Sequence, residues 1–312
     1  MRKISLTATD RFPALALDGL KLALGMAIVG FVYYGYWVQP IGTVPCYYWL
    51  RAHWRNVSNY SHGPLIPLIA LGLVWWKRTE LRSSKIEPVT WGAVVVALAM
   101  FLYFLGVKGS QAHTVVASFV VLLYGLTLAL AGRNVFRVLF FPITFLFLMI
   151  PLNFLDEMVG FPLRMFVAQA STALLNWLGI ETVRVGTGIY SRVFRFDVAD
   201  PCSGIRSLMA LTTVTAAYAY VTQKSQWKRW VLFLSSMPLA VLGNMARVVS
   251  IALVAEVYGQ EVAGNIYHGW SGFILFPVAL AAMVILGLLL NFPYRRLWES
   301  WMKPIEQHET HE

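Results

Sequence analysis

Long apolar runs alternate with short polar turns along the whole chain. Runs at about 15–37, 89–107, 113–131, 135–151, 203–222, 229–256 and 271–291 each approach or exceed the length a helix needs to cross hydrocarbon, about 20 residues. An eighth run, 64–76, is short. Its thirteen residues rise only ~20 Å as a helix, so it borrows flanking residues to cross or enters partly shielded by protein. Pro64 and Pro67 fall in its first turn, where proline is tolerated. The loop 39–63 is polar and aromatic, with Tyr47, Tyr48, Trp49 and Trp54 suited to the membrane interface. Two segments break the pattern. Segment 162–179 is apolar but carries Arg164, Gln169 and Asn176, which make a lipid-facing span uncomfortable. In 180–200 the period changes. Val183, Val185, Ile189, Val193, Phe194, Phe196 and Val198 interleave with Arg184, Thr187, Arg192, Arg195 and Asp197, and Gly186 and Gly188 punctuate them. This pattern predicts one or two short strands. Open strand edges are not tolerated in hydrocarbon, so the piece belongs outside the lipid core.

Composition narrows the class. Charged residues make up 13% of the chain and hydrophobic ones 58%, against about 25% charged in a soluble domain. The runs are too long for ~10-residue barrel strands. The net charge of +10 would suggest nucleic acid in a soluble protein. Here basic residues cluster in short turns, as the positive-inside rule requires, and no nucleic-acid motif accompanies them. With the N-terminus inside, the basic turns 77–85, 133–137, 224–229 and 295–303 all fall inside if 162–179 does not cross fully. The loops 39–63, 108–112, 152–200 and 257–269 then fall outside. The expected fold is an all-α polytopic membrane protein of about eight transmembrane helices. It has a re-entrant or interfacial helix at 162–179 and a small extracytoplasmic β element. A single integral membrane domain, 1–291, with 180–200 inserted before the 203–222 helix, precedes a cytoplasmic tail, 292–312. The first run is too long for a signal-peptide core and lacks a clear cleavage site, so it reads as a retained span.

Candidate chemistry sits on the outer side of this topology. Cys202 lies in Asp200-Pro201-Cys202-Ser203-Gly204-Ile205-Arg206-Ser207-Leu208, at the start of a helix whose dipole favours a thiolate. Ser203-Gly204 lets backbone approach a substrate closely. Arg247 stands inside an apolar helix, 18 residues or ~27 Å beyond Arg229. Asn244, one turn before it, adds a polar group to the same face. An arginine at such a site holds a thiolate or steadies an oxyanion. His268, in Tyr267-His268-Gly269-Trp270-Ser271-Gly272, precedes the last span and can serve as acid and base. Arg206, one turn from Cys202, is a candidate contact for a substrate carboxylate or lipid phosphate. His62, in Ser61-His62-Gly63-Pro64, either lines the pocket or caps its helix. Two cysteines exclude a disulfide framework, although Cys46 and Cys202 can pair in an oxidising compartment. His308 and His311 in the acidic tail read as solvated. No CxxC, HExxH, P-loop or GxGxxG pattern occurs, so neither metal nor other cofactor is expected.

Taken in order, Tyr60-Ser61-His62-Gly63-Pro64-Leu65-Ile66-Pro67, Pro201-Cys202-Ser203-Gly204-Ile205-Arg206-Ser207-Leu208, Asn244-Met245-Ala246-Arg247 and His268 with Gly272 resemble the exosortase and archaeosortase family. These are polytopic membrane cysteine transpeptidases. The resemblance implies Cys202 as nucleophile, completed by Arg247 and His268, with Arg206, Asn244, His62 and Ser203 as candidate substrate contacts. It implies membrane-tethered protein substrates with a C-terminal Pro-containing motif, a transmembrane helix and a basic end, processed at the outer face of a bacterial inner membrane. Membrane lipids are further partners. The chain ends soon after its last span, without the extra C-terminal domain some members carry. Two other classes fit intramembrane arginine and short, proline-bearing spans: a transporter, and a non-catalytic scaffold of surface-polysaccharide export.

Overall fold

The computed structural model describes residues 30–31, 34–38, 40–41, 44–55, 60–152, 156–198 and 205–292. Most of the expected first span, together with Cys202, Ser203 and the tail from 293, lies outside the described residues. The chain divides into two compact units, Met1–Asn153 and Phe154–Glu312. Among the described residues, five helical stretches are long and apolar enough to cross a membrane: Ala112–Leu130, Gly132–Met149, Met158–Trp177, Gln226–Tyr258 and Trp270–Asn291. Leu65–Trp76 and Gly92–Lys108 are shorter apolar helices. The body is mostly helical, as the apolar runs predict.

In the first unit, the 39–63 stretch is not simply a loop. Strands β1 (Pro40–Ile41) and β2 (Val44–Pro45) pair antiparallel and lead into α1 (Cys46–Trp54). Its cause is a short amphipathic period: Cys46 and Leu50, four apart, are buried, while Tyr47, Tyr48 and Arg51 are exposed. Helix α2 (Leu65–Trp76) has 12 residues, a rise of ~18 Å, and is followed by the short basic helix α3 (Arg78–Ser83). There Lys77 pairs with Glu80 at 2.6 Å, while Lys77 and Arg78 lie over the rings of Trp76 and Trp75.

Helices α4 (Gly92–Lys108) and α5 (Ala112–Leu130) form a tight hairpin. Lipid tails give apolar helices no hydrophobic reason to associate, so close backbone approach decides the packing. Two glycines permit it. A Cβ on Gly92 would stand 2.4 Å from the Ala129 backbone nitrogen, and one on Gly125 would stand 2.6 Å from that of Val96. Gly92→Ala or Gly125→Ala should therefore push the hairpin apart and cost ~1–3 kcal/mol, read as a lower midpoint of thermal unfolding in detergent. Gly72→Ala on α2, with no atom within 4 Å of the new Cβ, should leave the midpoint unchanged. Equal loss from all three would contradict this packing account.

Two hydroxyls of this unit are paired internally, as a membrane environment favours. Ser118 Oγ donates to the Tyr36 hydroxyl at 3.0 Å, and the Tyr103 hydroxyl donates to the Gly35 carbonyl at 3.0 Å. These bonds fasten the segment 34–38 to α4 and α5. Helix α6 (Gly132–Phe145) tightens into a 3₁₀ turn at Leu146–Met149 before Pro151.

The second unit opens with α7 (Phe161–Trp177). Strands β3 (Val183–Val185), β4 (Gly188–Tyr190) and β5 (Arg195–Asp197) follow as an antiparallel meander, with Arg184 opposite Ile189 and Ile189 opposite Phe196. The sequence predicts one or two strands here; there are three. Gly186, at φ +62, marks the first turn. The second turn, closed by the Ser191 N–H to the Phe194 carbonyl at 2.8 Å, contains neither Gly nor Pro and is invisible to a pattern reading. Asn176, a reason to doubt 162–179 as a span, locks α7 to the meander. Its Oδ1 accepts from the Thr182 N–H at 2.7 Å, and its Nδ2 donates to the Thr182 carbonyl at 3.1 Å.

Helices α8 (Ile205–Thr222), α9 (Gln226–Tyr258) and α10 (His268–Asn291) pack together. The 33 residues of α9 rise ~50 Å, well beyond a ~30 Å hydrocarbon core. The excess has a use. Val248, Val249, Ala252 and Ala255, in its last three turns, form one core with Ile189, Phe194 and Val198 of the meander and Val167, Ala168 and Leu175 of α7. The outer face of α10 stays apolar: Trp270, Phe273, Val278, Ile285 and Leu288 are each more than half exposed. That is the face a bilayer covers.

Candidate active site

The site builds from α9. Its glycine- and alanine-containing stretch around Ala240 and Gly243 leaves room beside Asn244 and Arg247. A cavity of about 50 Å³ opens there, walled by Ala240, Gly243, Asn244 and Arg247 of α9, Ser207 and Leu211 of α8, and Gly272 and Phe276 of α10. Three helices thus meet around one arginine and one carboxamide. Asn244 is 6% exposed, where a polar side chain is held by partners or costs stability.

Arg247 is half-buried and crosses to α10. Its Nε–H donates to the Ser271 hydroxyl oxygen at 2.9 Å, and Ser271 is fully buried. Gly272 lies beside the guanidinium; a Cβ there would stand 3.8 Å from Arg247 Cζ. His268 is the first residue of α10, one turn before Ser271. The turn Ala263–Tyr267 that delivers it packs on α9, with Ala263 buried in the core beside Val248 and Ala252.

A second, smaller gap touches Asn244 from the α7 side, lined by Leu163, Arg164, Val167 and Leu208. Arg164 therefore belongs to the surroundings of the site. It stands in the sequence as an arginine in an apolar run, without a motif to assign it. Ser207 and Ser271 were likewise legible as parts of motifs but not as site residues, because nothing local shows that two helices turn them toward Arg247.

The other expected positions divide. Cys202 and Ser203 lie outside the described residues, just ahead of α8. Arg206 is exposed at the head of α8, next to Ser207. His62 belongs to the first unit, in the turn before α2, stacked on Tyr60 with ring centroids 6.0 Å apart. Its Nδ1 is buried without a hydrogen-bond partner, and burial lowers its pKa below the usual histidine value. Gly63 beside it is pressed on Trp54, whose indole N–H donates to the Met149 carbonyl at 3.1 Å. Cys46 is 1% exposed, and burial pushes its thiol up to about 12, so it stays protonated at neutral pH.

Arg247 and Asn244 thus line a small cavity that is also walled by α8, the helix that follows Cys202 in the sequence. A family model described as "Transmembrane exosortase" matches residues 54–285. No curated protein and no solved structure matches the chain. The matched stretch takes in His62, Cys202, Asn244, Arg247 and His268 and most of the described helices. The chain is an integral membrane protein that belongs to the transmembrane exosortase family.

Proposed function

We propose that the chain is a cysteine transpeptidase of the bacterial inner membrane. It cleaves C-terminal sorting tails of membrane-tethered proteins and transfers the proteins to an acceptor at the cell surface. The observation that carries this reading is the Arg247–Ser271 bond across α9 and α10. It holds a cation at a cavity walled also by Ser207, five positions beyond Cys202, and one helical turn from His268. Charge distribution supports an outward-facing site. Basic residues at 77–85, 133–137 and 224–229 sit at the opposite ends of their spans, and Arg247 rises ~27 Å from Arg229 along α9. In this topology the chain has eight spans, and 162–179 does not cross fully. Met158–Trp177 has the length and apolarity to cross; the charge at Lys224, Lys228 and Arg229 is what argues for a dip.

The reaction runs in two displacements. Cys202 Sγ, as thiolate, attacks the carbonyl carbon of a substrate peptide bond, and Arg247 steadies the oxyanion. The C–N bond breaks as His268 gives its proton to the departing amine, leaving a thioester on Cys202. An acceptor nucleophile loses its proton to His268 and attacks the thioester carbonyl. The C–S bond breaks and the thiolate returns.

The test is capture of the intermediate. The purified full chain, incubated with a tailed substrate and no acceptor, should carry an acyl adduct on Cys202 by mass spectrometry, and hydroxylamine should release it. A substrate cut without any adduct on Cys202, under conditions that preserve thioesters, would overturn the reading. Transport without cleavage would favour the transporter class.

A further inference from the structure

We propose that Ser271 is a positioning residue for Arg247, setting the plane in which the guanidinium meets the reacting carbonyl; this rests on the function proposed above. An arginine side chain carries five N–H donors in one rigid plane. Its charge is useful to an oxyanion when that plane is aimed, because the oxyanion position is displaced only slightly from that of the ground-state carbonyl oxygen. A long side chain on α9 has several rotamers with which to miss it. The bond from Arg247 Nε–H to Ser271 Oγ, at 2.9 Å, removes that freedom. Nε lies in the guanidinium plane closest to the stem, so its capture constrains that plane without engaging the terminal nitrogens in this bond.

Three observations make this bond suitable for the task. Ser271 is fully buried, so water does not compete for its hydroxyl. Gly272, the next residue, brings α10 to the guanidinium without a side chain between, and both Gly272 and Arg247 line the same cavity. Ser271 also lies three positions after His268 on α10. One rigid helix therefore carries the proton-transfer residue and the residue that aims the cation, so their spacing is held by helix geometry rather than by a loop. A hydroxyl is suited to this position because a carboxylate would neutralise the guanidinium and weaken it toward the oxyanion.

The experiment uses the full chain in nanodiscs and follows cleavage of a tailed peptide by wild type, Ser271→Ala, Ser271→Thr, Arg247→Ala and the double variant Arg247→Ala/Ser271→Ala. Ser271→Ala should lower kcat ~10- to 100-fold while KM stays within about twofold, because an interaction of the transition state is lost. Ser271→Thr keeps the hydroxyl and should recover most of the rate. The double variant should be no slower than Arg247→Ala alone, since Ser271 acts through Arg247. The inference is overturned if Ser271→Ala is as fast as wild type. It is overturned equally if its loss multiplies with that of Arg247→Ala, or if threonine fails to rescue while thermal midpoints of the variants match wild type. Should Ser271→Ala not fold, the Ser271→Thr rate and its Arg247→Ala combination decide alone. A Cys202→Ala chain that still cleaves would defeat the thiol mechanism, whereas the non-additivity of 271 and 247 judges the positioning role separately.

Discussion

Cys202→Ala should abolish processing of tailed substrates in cells and in vitro, a loss of at least ~10³- to 10⁴-fold, because in the proposed mechanism Cys202 carries the acyl intermediate. Cys202→Ser should fall nearly as far, since a hydroxyl ionises far less readily than a thiol and the proposed mechanism starts from the anion. The chain contains two cysteines, and this makes the result easy to interpret. Cys46 is buried at the start of α1 with its thiol pKa raised to about 12, so it neither substitutes for Cys202 nor reacts with an impermeant thiol reagent. Such a reagent, added to the outside of intact spheroplasts, should label Cys202 and block processing, and labelling should vanish in Cys202→Ala. Labelling seen only after the membrane is opened would invert the topology, and processing by Cys202→Ala at the wild-type level would end the thiol mechanism. A silent Cys202→Ser would favour the scaffold class.

Arg247→Ala should reduce kcat ~10²- to 10³-fold, the loss that follows removal of one oxyanion donor. Arg247→Lys is the more informative change. Lysine keeps the charge but has no Nε–H in a planar fork, so the bond to Ser271 at 2.9 Å is lost. Its rate should stay well below wild type, within about tenfold of Arg247→Ala. A role in bulk charge or snorkelling predicts that lysine is nearly as good as arginine. Full activity of Arg247→Lys would therefore reject the geometric role, and unchanged kcat with raised KM in Arg247→Ala would move Arg247 from the transition state to substrate binding.

Much of this was legible in the residues. Arg247 and Asn244 stood out because polar groups in an apolar run are costly and must be compensated, and the structure does place both at one cavity. Ser271 was hidden. A serine in Trp270-Ser271-Gly272 has no local feature that shows which helix it meets. Arg164 was visible as a discomfort in 162–179 but acquires meaning only where α7 passes Asn244. Asn176 stood out as a polar group in an apolar run, and the structure shows where it goes: it is consumed by the Thr182 backbone at the turn into β3.

The sequence by itself determined the class of this protein. Apolar run lengths and the placement of basic residues follow from the thickness and polarity of a bilayer, and these are local constraints that each segment must satisfy alone. The family, too, is carried by short ordered motifs. Tertiary structure alone decided three things: that the surplus turns of α9 carry the β meander, that Gly92 and Gly125 set the α4–α5 approach, and that Arg247 is held by Ser271. Each depends on which faces of distant helices come together. In a membrane that choice is made by backbone proximity and interhelical hydrogen bonds rather than by burial of apolar surface, so hydropathy along the chain does not contain it.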